Sequence, residues 1–344
     1  MRCAVRYARF IIGMMAVFAA IGLATSVCAD MAVLPGTGKT VQPVDGGIPG
    51  EVFQLELVAA GLRRLGYQVK PSIVLPQQAG TPHLLVAQGD ADFFPAHWDP
   101  LQQAFYESVG GDKTVERVGI LIENCMQGYF IDKKTANRYH VNRLDQLQDP
   151  DIAGLFDIDG DGKADLTGCH PGWGCFRVIE HQLDAFDLRD VITHHQQDDY
   201  FAMIEETIQR FQEGKPIFYY TWTPLWVSGV LVPGRHVEFL NVPFTSLPDE
   251  RMETDTSLPD GRNSGFAVNK ARILANKNFL AANPAARRLF ELMKIPINDV
   301  SAQNERMHNG ENTQKDILRH VQEWIDENRK VFDSWIEAAM IAGQ

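Results

Sequence analysis

The sequence predicts an α/β protein of two lobes, and three observations carry that prediction. Short apolar stretches rich in branched and aromatic residues alternate with segments of helical periodicity. The alternation continues without an internal repeat, a low-complexity tract or a long flexible linker, so the chain is expected to cross between its lobes more than once. The 315 residues that follow the first 29 are enough for two medium domains with cores of their own.

Taken in order, residues 40–44 read as a first strand. Over residues 51–65, Leu55, Val58, Leu62 and Leu65 share one helical face, and Gly66 ends the helix. Strands at 68–69 and 91–95 enclose a helix near 82–88. Residues 117–124 and 129–131 read as two separate buried strands. A loop rich in Asp and Gly, 157–168, leads to Cys169, and a helix over 174–186 follows. Next come a strand at 191–193, a helix at 200–212, a turn at Gly214-Lys215-Pro216 and a strand at 217–221. From residue 275 onward the pattern is helical, with Asn283-Pro284 and Asn298 as helix starts.

The first 29 residues read as an export signal. Arg2, Arg6 and Arg9 precede an apolar run over 10–23, and Val27-Cys28-Ala29 supplies small residues for cleavage before Asp30. Cys28 suggests lipid attachment as an alternative, which bulky Val27 fits poorly. The expected location is therefore the periplasm, as a soluble monomer. Without this segment the chain has 29 basic and 44 acidic residues, a net −15, which argues against a nucleic-acid or anionic-membrane partner. Of the three remaining cysteines, Cys125 lies in an apolar run and reads as a buried free thiol. Cys169 and Cys175, six positions apart, are the candidate disulfide; C-x-x-C metal spacing is absent.

Ligands of open α/β sheets sit outside the carboxyl ends of strands. Trp98 follows the strand reading ADFFPA, Trp222 follows IFYYT, and Trp173 lies inside the loop Cys169-His-Pro-Gly-Trp-Gly-Cys175. A disulfide across that loop would hold Trp173 in a fixed orientation. Gly174 and Cys175 open the following helix, where unpaired backbone N–H groups favour an anion. Indole faces attract a cation that cannot hydrogen-bond. A molecule with both groups close together is a betaine. Trp226, Trp324 and Trp335 read as packing residues, and alternation lets only one of Tyr219 and Tyr220 face a pocket.

These residues resemble the periplasmic glycine betaine/proline betaine-binding proteins of osmoprotectant ABC importers. The likeness is carried by GDADFFPAHWDPL, GGDK, QGYFIDKKTA, GDGKADLTGCHPGWGC, EGKPIFYYTWTPLW and SAQNERMH, in order from about Gly36 to the C-terminus. It implies a type II periplasmic-binding fold, with the ligand in a cleft between lobe 1 (30–126 with 277–344) and lobe 2 (127–276). It also implies a cage of Trp98, Trp173 and Trp222, carboxylate contacts from Gly174 and Cys175, a Cys169–Cys175 disulfide and an ABC permease as partner. One position departs from the family. Four residues after the first cage tryptophan stands Gln102 rather than a histidine, so the carboxylate meets a neutral donor.

Other signals are weaker. Asp157, Asp159, Asp161 and Asp165 resemble the start of a calcium loop, but Gly168 stands where a bidentate Glu is expected. An Asx-rich turn explains them, and no cofactor is expected. His194 and His195, adjacent on a strand, point to opposite faces and do not share an ion. Two alternatives remain to the betaine reading: a binder of another methylated zwitterion (sulfonium, choline-like or carnitine-like), or an exported hydrolase using Cys175. No G-x-S-x-G or H-E-x-x-H motif supports the hydrolase.

Overall fold

The computed structural model describes residues 33–248 and 254–344; the expected export segment 1–29, with Cys28 and the cleavage site, lies outside the described residues. The first stretch comprises β1 (Thr40–Val41), β2 (Val44–Asp45), α1 (Val52–Arg64), β3 (Gln68–Val69), β4 (Ile73–Val74), α2 (Gly80–Gln88), β5 (Phe93–Asp99), α3 (Gln103–Ser108) and β6 (Val115–Asp132). Next come α4 (Lys133–Tyr139), α5 (Pro150–Ala153), β7 (Ala164–Thr167), α6 (Gly174–Ala185), β8 (Ile192–His195), α7 (Tyr200–Gln212), β9 (Phe218–Thr223), α8 (Val227–Val230) and β10 (Val237–Leu240). β11 (Asn269–Asn276) leads into α9 (Lys277–Ala282), α10 (Pro284–Leu292), α11 (Ile297–His308), α12 (Gln314–Glu327) and α13 (Arg329–Ala342).

Seven strands form one sheet in the order β5-β11-β6-β9-β7-β8, with β10 also paired to β6. The organising element is β6, a single strand of 18 residues where the sequence suggested two. The polar residues near its middle hid its continuity. Asn124 there adopts φ +61°, a conformation that Asn tolerates, and the ladder to β11 shifts register beside it. The bulge lets one strand serve two partners: its first half pairs with β11, and its second half with β9 and β10.

Other boundaries moved for local reasons. The first strand splits into β1 and β2 at Pro43, which has no N–H for a ladder. Pro49–Glu51 forms a 3-10 turn ahead of α1. The loop expected over 157–168 ends as β7. Residues 275–276, expected to open the helical tail, end the strand β11 instead, and α11 begins at Ile297 with Asn298 inside it. Trp324 and Trp335 pack as expected, stacked 6.2 Å apart between α12 and α13.

A wholly buried histidine pair joins α2 to β5. His83 Nδ1 is 2.8 Å from the Ala79 carbonyl, which makes it the donor; Nε2 of the same ring then accepts from His97 Nδ1 at 2.9 Å. This chain leaves His97 Nε2 as a buried lone pair without a partner. Burial lowers both groups, His83 to about 4, because no counter-charge awaits a proton there. A depressed histidine contributes stability that is complete above the unfolded value of about 6.5 and declines as pH falls toward 4. His83 alone is therefore expected to remove roughly 3 kcal/mol over that interval. Thermal melts from pH 7 to pH 4 should show the loss; a flat melting temperature would contradict the neutral pair.

Candidate functional site

The two strands that end in tryptophan bring their rings to one cavity. Trp98 and Trp222 are the penultimate residues of β5 and β9, inside the strands rather than beyond them. Each is followed by a residue joined to proline by a cis bond, Asp99-Pro100 and Thr223-Pro224. β6 connects the two: Trp222 stands opposite Gln127 in the β6–β9 ladder, while Trp98 pairs with Ala271 of β11, itself opposite Ile122 of β6.

Trp173 arrives on the loop before α6. Cys169 and Cys175 form a disulfide with Cα atoms 6.0 Å apart, and Cys125 is a buried free thiol, both as the sequence suggested. Two histidines shape the loop. His170 stacks on Trp173 at 5.3 Å, and its Nδ1 accepts the Gly172 N–H at 2.8 Å. His194 Nε2 accepts the Cys169 N–H at 3.1 Å, so its proton resides on Nδ1, which donates to Glu180 at 2.7 Å. A side chain at Gly168 would overlap that imidazole. His194 thus fixes the disulfide loop while His195 turns to Asp165, so the two point apart as expected.

The cage is tight. Trp173 and Trp222 meet edge to face at 5.3 Å, and Tyr200 backs both at 5.6 and 4.9 Å. The Tyr200 hydroxyl donates to the Tyr220 carbonyl at 3.0 Å, tying α7 to β9. The Trp173 indole N–H donates to the Gln77 carbonyl at 2.8 Å, and the Gln77 amide donates to Asp199, the N-cap of α7. Trp98, Trp173 and Trp222 are all buried apart from the parts that line a cavity of about 390 Å³, mouth included.

Gly174, Cys175 and Gln102 line the same cavity, so every expected binding residue is brought together. Gly174 and Cys175 are the first residues of α6, a start that no side chain caps, and their N–H groups lie beyond the reach of helical carbonyls. Gln102 stands at the N-cap position of α3 without capping it, and its Oε1 accepts the Trp98 N–H at 3.1 Å instead. That leaves its NH₂ as a neutral donor. Of the tyrosine pair, Tyr220 lines the cavity and Tyr219 stacks on Phe130 instead. Sequence reasoning missed Glu51 and Gln127, which also line it.

The Asp-rich loop lies elsewhere. Both oxygens of Asp157 accept N–H groups, from Gly160 and Gly162; Asp159 and Asp161 each accept from the backbone two residues on. Asp165 sits in β7, beside His195. This is the geometry of consecutive Asx turns.

Fold and site together define a class: a two-lobe α/β solute-binding protein of the type II periplasmic-binding fold. The sequence profile described as the substrate binding domain of ABC-type glycine betaine transport systems matches residues 39–327. The chain belongs to that family. It is 52% identical over 312 residues to the glycine betaine-binding periplasmic protein OusX of Dickeya dadantii, covering 90% of this chain and 93% of that one. It is 46% identical over 325 residues to a glycine betaine/proline betaine-binding periplasmic protein of Salmonella typhimurium, covering 94% and 96%. In fold it is similar to lactococcal OpuAC solved in closed form with glycine betaine (TM-score 0.64, 19% identity, 87% and 99% covered). A glycine betaine/L-proline-binding protein of Borrelia burgdorferi is similar as well (TM-score 0.67, 14% identity, 89% and 100% covered).

Proposed function

We propose that this protein captures glycine betaine, or a zwitterion of the same shape such as proline betaine, and delivers it to the ABC permease of an osmoprotectant importer. The convergence of three indoles on the uncapped start of α6 within one small cavity carries the reading. The rings take the quaternary ammonium, which has no proton to donate and is drawn to their faces. The Gly174 and Cys175 N–H groups take the carboxylate, with the Gln102 amide as a third, uncharged donor. Relatives named for glycine betaine at about half identity support the same ligand class.

Binding acts through lobe closure, because a ligand can shift the equilibrium only by contacts it makes in the closed state. We place the crossings of the chain near Cys125–Met126 in β6 and just before Asn269, since β11 pairs with β5 and the first half of β6. The sequence partition at 276/277 assigned that strand to the other lobe. The protein acts without catalysis and without a cofactor, the Asp-rich turn serving structure alone. Cys175 is bound in the disulfide and offers no thiolate for a hydrolase. Cleavage after Ala29 releases a soluble monomer into the periplasm.

Titration calorimetry of the chain from Asp30 tests the reading. Glycine betaine should bind saturably, with proline betaine competing and neither being consumed. Absence of heat with every betaine, sulfonium and choline-like ligand would overturn it.

A further inference from the structure

Glu51 and Gln127 border the pocket but belong to neither the tryptophan cage nor the anion site. Gln127 is accounted for in part, since its Oε1 accepts the Tyr220 hydroxyl at 2.6 Å. Glu51 is not. It stands at the N-cap of α1, yet its carboxyl caps nothing there. Its Oε2 is inaccessible and without a hydrogen-bond partner, although part of the residue reaches the surface. A second small cavity is again bordered by Glu51 together with Trp98 and Trp222. Glu51 therefore shares two cavities with two of the three cage rings.

Among the described residues, no cation stands out beside Glu51. Asp45 on β2 is a second acid, its Oδ1 accepting the Gly47 N–H at 2.8 Å, and on β6 the neighbouring titratable group is the Cys125 thiol. On α11, beyond Gly50, His308 is paired with Glu205 at 3.5 Å and stacked on Trp226. Burial, with Asp45 adding to it, pushes Glu51 well above the usual carboxylate range. A buried carboxylate with no counter-charge is unfavourable as an anion. A permanent cation entering the cavity reverses that balance.

We propose that Glu51 is the anionic wall of the cation site, the counterion that the ligand's quaternary ammonium meets beside Trp98 and Trp222. The inference rests on the betaine reading above. In the empty pocket the carboxyl carries a proton; when the cation is seated, that proton passes to solvent and the carboxylate faces the ammonium. Affinity then rises with pH through the interval between the bound and free values of Glu51. A neutral molecule of equal shape leaves Glu51 protonated and gains nothing from the carboxylate, so the arrangement favours a cation.

Calorimetry of glycine betaine in buffers of different ionisation enthalpy tests this. The wild type should release about one proton per ligand at pH values between the bound and free values of Glu51. Glu51→Gln, which mimics the protonated acid, should melt like the wild type, bind at least about tenfold more weakly and release no proton. Glu51→Asp should restore release. Binding by the wild type without proton release, release that persists in Glu51→Gln, or equal affinity of the two would each overturn the assignment. Absence of glycine betaine binding would fail the functional reading itself; tetramethylammonium, a cation without a carboxylate, then tests Glu51 alone by the same proton count.

Discussion

Replacing Trp173 by alanine should weaken glycine betaine binding by about 2–3 kcal/mol, roughly 30- to 150-fold, while the protein stays folded. One desolvated cation–π face contributes about 1–2 kcal/mol. Trp173 does more than supply a face. Its ring is the edge-to-face partner of Trp222, and its indole N–H reaches the Gln77 carbonyl, a link that holds the cage closed. Removing it leaves Trp222 without a neighbour on that side and releases the Gln77 segment. The residue is carried on a disulfide loop at a cavity wall, so the sheet survives its loss. Titration calorimetry gives the affinity and a thermal melt confirms the fold. Unchanged affinity would remove Trp173 from the cage.

The second large effect is expected at Gly174. A Cβ there would lie 2.7 Å from the Leu101 carbonyl oxygen and 2.9 Å from Leu101 Cγ, closer than atoms pack. Overpacking of this kind costs about 1–3 kcal/mol. Gly174 opens α6, where alanine is the better helix former, so α6 itself gains from the change. Leu101 follows β5 and Gly174 lies within the disulfide loop, and under the proposed lobe closure the two approach as the ligand is enclosed. Gly174→Ala should therefore lower betaine affinity about tenfold or more while the ligand-free protein melts as before. Equal binding would show that the start of α6 need not approach Leu101, and the carboxylate site would have to lie elsewhere.

The legible parts of the site were those encoded over short stretches of chain. Trp98 and Trp222 were recognisable because each closes an apolar strand, and Trp173 because two cysteines bracket it. The helix that follows was recognisable from its periodicity, and with it the donors of Gly174 and Cys175. Glu51 was illegible, since an acid just before a helix looks like any favourable first-turn charge; only the absence of a partner distinguishes it. Gln77 carries no local signal either, because its role lies in a carbonyl that Trp173 reaches from 96 residues away.

The alternation of strands and helices, the disulfide loop and the identity of the three rings were thus determined by the sequence itself. Side-chain period, turn chemistry and helix starts depend on neighbours a few residues apart. Only the tertiary structure decided that β6 is one strand serving two sets of partners, and that Gln127 faces Trp222 across it. It also decided that β11 returns to the first half of the sheet, bringing Trp98 into the same sheet as Trp222. Those facts are matters of register between segments far apart in the chain, set by how whole surfaces pack, and no local pattern specifies them.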